Sequence, residues 1–224
     1  MQSKSKHLLS SRLQTVLEKW TAGETAVLHH FWHEMKAQGT PLIEPITQDD
    51  ENYLVTFLWR DEGRTLDTIC LTEGPAGFDF HLGQMTRLAD TDIWFRSYQM
   101  PGDTVMLYHL SPNNPLPVWG SPEMNLHGLA HDTRSPASTG RLIRQFVESE
   151  RLPLRFHLDV GSYDFNGQPE LHSNILMANR HLRDVLQAKG YELDYVEFSG
   201  GHDFVGWRRA LPAAIRWLLE NAMN

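Results

Sequence analysis

Hydrophobic positions repeat with helical spacing in the first forty residues of the chain. Residues 7–19 place their leucine and valine side chains on one helical face, and residues 24–38 predict a second amphipathic helix that ends at Gly39. The pattern then changes to β-rich runs at 53–59 and 65–71, which are separated by a short Asp-Glu-Gly turn. This arrangement predicts a strand, a tight turn and a second strand, that is, a β-hairpin.

Short β-rich runs continue up to residue 110. They lie at 85–88, 92–99 and 104–110, and Asp, Pro and Gly residues separate them. Several short strands at this spacing are typical of a small β-sandwich.

After residue 140 helical and strand patterns alternate, as in α/β proteins. The predicted elements are helices at 141–150 and 171–189, strands at 154–160 and 193–198, and a last helix with Pro212 near its first turn. Two strands are too few for a parallel sheet with helices on both faces, so this region is expected to be the end of a larger domain.

The segment between these regions, residues 116–140, is rich in Pro, Gly, Ser and Asn and has neither helical nor strand periodicity. It predicts a linker between two domains, because a structureless stretch of this length is unusual inside one compact domain.

The overall charge excludes some functions. The formal net charge is -8 and the pI is near 5.8, and the acidic excess lies almost entirely before residue 141. A nucleic-acid partner is therefore not expected. There is no long apolar run and no signal peptide pattern, and Cys70 is the sole cysteine. We expect a cytoplasmic protein that is not associated with a membrane and has no disulfide.

His202 is the strongest candidate for chemistry, because its Gly-Gly-His-Asp turn directly follows a predicted strand. Open α/β sheets place their sites at the carboxyl edge of the strands. Asp159 and Asp164, at the end of the preceding strand, are candidates for the acid that would orient the imidazole. The alternative is that His202 only caps the last helix.

A nucleophile for such a pair is missing from the sequence. In α/β-hydrolases it lies in a Gly-x-Ser-x-Gly turn between a strand and a helix, and no serine of this chain has that surrounding. Ser138 or Ser162 would serve only if it had been recruited.

Two other groups of residues are weaker candidates. His29 and His33 share a helical face, but without a third ligand they favour a solvated surface over a zinc site. Trp207 and Arg208 follow His202 closely, so they could line a site for an anionic aromatic ligand or merely pack the helix. Three tryptophans of the first region are expected at core or edge positions of the β domain and not in a ligand site; they are Trp59, Trp94 and Trp119.

Longer motifs resemble the enterochelin (ferric enterobactin) esterase family. In the first region these are GTPLIEP at 39–45, VTFLWRD at 55–61, MTRLADTDIWFRSY at 85–98 and YHLSPNNP at 108–115. In the tail they are LPLRFHLDVG at 152–161, ILMANRHLRDVLQAKGY at 175–191 and FSGGHDFVGWR at 198–208.

The resemblance implies a fold and an activity. The fold class would be α+β and multidomain: an N-terminal Ig-like β-sandwich with flanking helices at 1–115, a junction at 116–140 and the end of an α/β-hydrolase domain at 141–224. The family implies a cytoplasmic serine esterase that cuts the trilactone of ferric enterobactin or a related catecholate siderophore, with iron present only as part of the substrate and no cofactor. His202 matches the catalytic histidine, Asp164 falls where the acid is expected, with Asp159 second, and Trp207 and Arg208 match the end of the histidine motif.

The chain departs from the family pattern at residues 136–140, which lead almost directly into the tail. The front of the hydrolase domain, with its nucleophile, is expected to be deleted, so we predict little esterase activity. The competing interpretation is a binding module without catalysis, for a catecholate ligand or a protein partner. Open strand edges predict a loosely packed tail that aggregates or dimerises, and the sequence leaves the oligomeric state open.

Overall fold

The computed structural model describes residues 9–77, 80–113, 143–164 and 175–220. The chain divides into two compact units. Unit 1 comprises Met1–Leu71, His81–Asp103 and Leu110–Pro115, and unit 2 comprises Thr72–Phe80, Thr104–His109 and Leu116–Asn224. The predicted domain bounds stay predictions, and the predicted linker at 116–140 lies outside the described residues.

Both helices predicted at the start of the chain are confirmed. They are α1 (Ser11–Thr21) and α2 (Ala26–Gln38). The Ser10 hydroxyl accepts a hydrogen bond from the Leu13 N–H at 3.3 Å and so caps α1. Gly39 ends α2 with a φ of 86°, a conformation that glycine adopts without strain.

The strands and short helices of the next region are β1 (Leu42–Ile46), β2 (Asp49–Arg60), β3 (Ile69–Glu73), a 3₁₀ turn (Gly74–Ala76), α3 (Phe80–Gly83), β4 (Thr86–Arg87), β5 (Ile93–Pro101) and β6 (Tyr108–Pro112). Four of these strands form a sheet of order β1-β2-β5-β4, in which every neighbouring pair is antiparallel. Strands β3 and β6 pair separately.

The predicted hairpin is wrong. Strand β2 pairs with β1 and β5 instead of the next strand along the chain. The buried carboxylate of Asp61 explains the difference, because it accepts the N–H groups of Thr65 and Leu66 at 3.1 Å each. These backbone donors are thus bound to a side chain, and the chain leaves the sheet before β3 begins.

The main core of unit 1 lies between the two helices and one face of the four-stranded sheet. Its buried members are Leu13, Val16, Phe31, Met35, Leu42, Leu58, Leu88, Ile93 and Phe95. Alternation along β5 places Ile93 and Phe95 in this cluster, while Trp94 joins a second one with Ile69 and Met85.

Unit 2 contains the helix and strand alternation that the sequence predicts. Its elements are α4, of which residues 143–148 are described, β7 (Arg155–Gly161), α5 (Ile175–Ala188), β8 (Glu192–Phe198) and α6 (Phe204–Glu220). Strands β7 and β8 are parallel, and α5 connects them. Pro212 lies inside α6 instead of near its first turn, because the helix begins at Phe204.

The structure is therefore of mixed α and β type, with antiparallel sheets in its first part. The Ig-like sandwich and the hydrolase fragment are finer assignments that stay predictions. Within the described ranges no helix combines the length and the apolar content that a bilayer crossing requires.

Candidate functional site

The candidate site lies where the two parallel strands of unit 2 end. Gly161, the last residue of β7, is the register partner of Phe198, the last residue of β8. Because the strands are parallel, the loops that follow them leave the sheet at the same edge. The first loop carries Asp164 and the second carries His202.

Backbone hydrogen bonds hold the two loops together. The N–H of Ser162 donates to the Phe198 carbonyl at 2.9 Å, and the N–H of Tyr163 donates to the Gly200 carbonyl at 3.0 Å. This approach requires a glycine at position 161, since a Cβ there would lie 2.3 Å from the Gly200 oxygen. Because Gly161 has no side chain, the two loops can approach each other this closely.

The side chains of Asp164 and His202 meet at this edge. Imidazole Nδ1 of His202 lies 2.8 Å from Oδ1 of Asp164, with side-chain exposures of 42% and 5% respectively. That buried oxygen accepts no hydrogen bond of regular geometry from the described residues, so the close approach of Nδ1 is an ion-pair contact. A buried carboxylate beside Nδ1 favours a proton on that nitrogen, which leaves Nε2 as the nitrogen that can accept a proton. The arrangement suits general-base chemistry.

The second candidate acid has a different partner. Oδ2 of Asp159 lies 3.2 Å from Nε2 of His157, whose Nδ1 lies 2.9 Å from Oδ2 of Asp194. Asp159 and His157 are two residues apart on β7, so their side chains share one face of the strand. Of the two acids considered from the sequence, Asp164 is the one that pairs with His202.

Asp203, which sequence reasoning missed as a functional residue, caps α6. Its Oδ1 accepts the N–H groups of Val205 and Gly206 at 2.9 and 3.2 Å. An aspartate directly before a helical segment is a strong N-cap signal, and it was present in the sequence. The observed cap is therefore Asp203 and not His202, which was the alternative role for the histidine.

Trp207 and Arg208 follow on the first turns of α6. The Trp207 ring meets the His202 ring edge to face, with centroids 4.8 Å apart, and also contacts Phe204 at 5.6 Å. Arg208 is exposed, and Phe204 has 81% of its surface exposed. An indole, a phenyl ring and a guanidinium thus lie on the helix that begins beside the Asp164–His202 pair.

The other residues considered from the sequence lie at exposed, half-buried or core positions, or outside the described residues. His29 and His33 are both exposed, and the described residues contain no group of three or more side chains that could hold a metal ion. Ser162 is half-buried in the loop after β7. Trp59 and Trp94 belong to the second core cluster of unit 1. Trp119 and Ser138 lie outside the described residues.

The fold and the site define a mixed α/β protein with an Asp–His pair at the end of a parallel strand pair. The family to which it is related follows from comparison with known proteins: residues 54–149 match the family model described as enterochelin esterase, N-terminal. The resemblance of the motifs at 55–61, 85–98 and 108–115 is therefore confirmed, and the chain carries an enterochelin esterase-like N-terminal domain. Asp164 and His202 lie beyond the matched residues.

A curated relative supports the same family. The chain is 29% identical over 102 residues to the iron(III) salmochelin esterase of Escherichia coli O6:H1. The aligned residues are 45% of this chain and only 25% of that relative.

Similar solved structures are those of the enterobactin esterase of Shigella flexneri. The structure determined in the presence of enterobactin shares 24% identity, with 34% of this chain and 21% of that chain covered and a TM-score of 0.28. The structure determined with 2,3-dihydroxy-N-benzoyl-serine shares 20% identity, with 40% and 24% covered and a TM-score of 0.30. Scores this low do not establish a common overall fold.

Proposed function

We propose that this chain binds ferric catecholate siderophores in the cytoplasm and hydrolyses their ester bonds weakly at most. The Asp164–His202 pair is the observation that carries the proposal, because it supplies a general base at the edge of a parallel sheet. The esterase-like N-terminal domain gives the substrate class, since the relatives with this domain are enterochelin and salmochelin esterases.

The two residues would act as part of a serine hydrolase site. His202 would take the proton of an attacking hydroxyl on Nε2, while Asp164 holds Nδ1 and stabilises the imidazolium. The hydroxyl oxygen would attack the ester carbonyl, the ester C–O bond would break, and His202 would return its proton to the leaving alcohol. Water would then hydrolyse the acyl-enzyme to the free acid. The sequence supplies the base and its orienting acid but no Gly-x-Ser-x-Gly nucleophile.

The missing nucleophile is the reason for expecting weak turnover. We propose that the front of the hydrolase domain has been lost near residues 136–140. The oxyanion donors would have been lost with it, because in this fold they include the backbone N–H that follows the nucleophile. The alternative function is a non-catalytic module that holds the catecholate ligand or a protein partner, and the absent nucleophile favours it.

Trp207 and Arg208 are the residues that we propose for ligand contact. A ferric catecholate complex is anionic and aromatic, so it suits a guanidinium for its charge and an indole face for its rings. A local positive group is needed because the chain as a whole carries a net charge of -8. No resident cofactor or metal is part of this proposal, since iron enters only with the ligand.

Titration with ferric enterobactin, followed by tryptophan fluorescence, tests the binding claim. Arg208→Gln is expected to weaken binding about tenfold, because one charge-assisted contact to the anion is lost. Arg216→Gln is the matched control, since Arg216 is an exposed arginine farther along the same helix. Absence of saturable quenching, or equal losses in the two variants, would contradict the proposed contact.

Catalysis is tested separately with the two members of the pair. Asp164→Asn is expected to reduce any measured turnover by about 10⁴-fold through the wrong imidazole tautomer, and His202→Ala by a similar factor. Turnover that survives both changes rules out the pair as the catalytic base. Labelling by a fluorophosphonate would reveal a recruited serine such as Ser162 or Ser138.

A further inference from the structure

A short segment before β6 lies against the loop that carries His202. The N–H of Val105 donates to the Ser199 carbonyl at 3.1 Å, and the hydroxyls of Thr104 and Ser199 are 2.5 Å apart. A Cβ at Gly200 would lie 2.9 Å from the Val105 oxygen, so the two backbones approach as closely as glycine permits. The residues just before His202 are therefore held from one side.

The residue just after His202 is held from two directions. Oδ1 of the buried Asp203 caps α6, whereas Oδ2 accepts the N–H of Leu107 at 3.0 Å. One carboxylate thus ties the start of α6 to the segment before β6. Its two oxygens have separate partners, so a single substitution can separate the two roles.

The His202 side chain is 42% exposed, and its ring contacts Asp164 and Trp207. The backbone of the loop sets the position from which the ring reaches Asp164, so contacts that fix this backbone also fix the approach of Nδ1 to the carboxylate. A small misplacement of a catalytic base has a large kinetic cost, which gives positioning residues their importance.

We propose that Asp203 is a positioning residue for His202, and that its bond to Leu107 keeps Nδ1 opposite Asp164. This inference rests on the proposed function, in which His202 is the general base. It extends that function to a group that would not touch the substrate, and it assigns residues 104–107 to the support of the site.

Asp203→Asn separates the two roles of the carboxylate. The amide oxygen can still cap α6, but the amide NH₂ then faces the N–H of Leu107, and two donors cannot bond to each other. We expect the helical circular dichroism to stay at the wild-type level. In the ¹⁵N NMR spectrum of the full chain, the His202 Nδ1 resonance should move away from the position of a protonated nitrogen, because the tautomer preference set by Asp164 is weakened.

Thr104→Val is a second variant that leaves the charge of Asp203 in place. It removes the hydroxyl pair with Ser199 at nearly constant volume, and we expect a smaller shift of the same His202 resonance in the same direction. Asp50→Asn, at an exposed position of β2, is the matched control and should leave the resonance unchanged. The resonance is assigned by its loss in His202→Gln.

The NMR results for the two variants lead to different conclusions. Unchanged His202 resonances in both Asp203→Asn and Thr104→Val, with wild-type helicity, would overturn the positioning role. If Asp203→Asn fails to fold, the result for Thr104→Val decides the question. The measurement uses no siderophore, so a failure of the chain to bind ferric enterobactin would overturn the proposed function and leave this result standing.

Discussion

The two units differ in where they keep their apolar side chains. In unit 1 two helices cover one face of a four-stranded sheet, and the resulting core includes Leu13 and Ile93, which have no exposed surface. In the described part of unit 2 a two-stranded sheet is packed against α5 and α6, and much of the apolar surface stays exposed. The exposed side chains there include Leu152, Leu154, Met177, Phe204, Leu211, Ile215 and Leu219.

The difference shows that the number of strands in a sheet limits how much apolar surface the sheet can cover. Four paired strands offer two faces wide enough for complete clusters, whereas two parallel strands leave helix surface without a counterpart. Exposed apolar side chains of this number are typical of a surface that another element covers. The contrast agrees with the proposed loss of hydrolase strands from the second region.

The largest effect is expected in the core of unit 1. Ile93→Ala removes a fully buried side chain between the sheet and the helices, and the free energy of unfolding should fall by about 2–5 kcal/mol. Ile43→Ala, whose side chain is 59% exposed on the neighbouring β1, should cost less than about 0.5 kcal/mol. Denaturant unfolding checks both values, and equal losses would contradict the assignment of the core.

The next effect concerns the contact between the two loops of the candidate site. Gly161→Ala introduces a Cβ 2.3 Å from the Gly200 oxygen, so the loops must separate at a cost of about 1–3 kcal/mol. Gly63→Ala is the control, because within 4 Å its Cβ would meet only side-chain atoms of Thr65, the nearest at 3.2 Å, and no backbone atom. Thermal unfolding of the two variants measures the difference, and a stable Gly161→Ala protein would show that the close approach is not required.

A smaller effect is expected from an ion pair between α5 and β8. Arg180 donates to both oxygens of Glu197, at 2.7 and 2.6 Å, and this hydrogen bonding lowers the pKa of Glu197 from 4.5 to about 2. The stabilisation is therefore present above pH 4.5 and is lost as the pH falls toward 2. Because both side chains are partly exposed, it should not exceed about 1 kcal/mol.

The variant Glu197→Gln tests the direction of this pH dependence of stability. The difference in the free energy of unfolding between wild type and variant should be full at pH 7 and shrink between pH 5 and pH 2. Glu18→Gln, at an exposed position of α1, serves as the control. A difference that grows on acidification would contradict the assignment.

The smallest change in stability should come from the exposed surface of α6. Replacing Leu211 and Ile215 by Gln should change the free energy of unfolding by about 0.5 kcal/mol or less, because both side chains are exposed. Self-association, measured by light scattering against concentration, should decrease. Identical scattering from wild type and variant would mean that this surface does not promote aggregation.

Local signals in the sequence predicted much of the fold. The α2 helix and its end at Gly39 follow from helical spacing and one glycine, and β7, α5 and β8 follow from alternating patterns. The hairpin after β2 could not be predicted correctly, because the outcome depends on a carboxylate, that of Asp61, which takes the N–H groups of Thr65 and Leu66. The predicted start of α6 near Pro212 is wrong because Asp203 caps the helix, and Pro212 lies in its interior.

Part of the candidate site could also be predicted from the order of the elements along the chain. Asp164 and His202 follow consecutive parallel strands, so their proximity could be expected from the order of elements along the chain. The choice between Asp159 and Asp164 depends on strand faces and on the His157 contact, which spacing does not reveal. Thr104 and Leu107 bind Ser199 and Asp203, on either side of His202, through tertiary contacts that nothing in the sequence indicates.

Incubation of the purified chain with ferric enterobactin, with chromatography of linear dihydroxybenzoylserine products, tests the central claim most directly. Binding with little or no product is the predicted result, because Trp207 and Arg208 are proposed to contact the ligand and the chain has no nucleophile elbow to complete the Asp164–His202 pair. Turnover at a rate typical of esterases that is lost in His202→Ala would contradict it, since an unrecognised nucleophile would then complete the site.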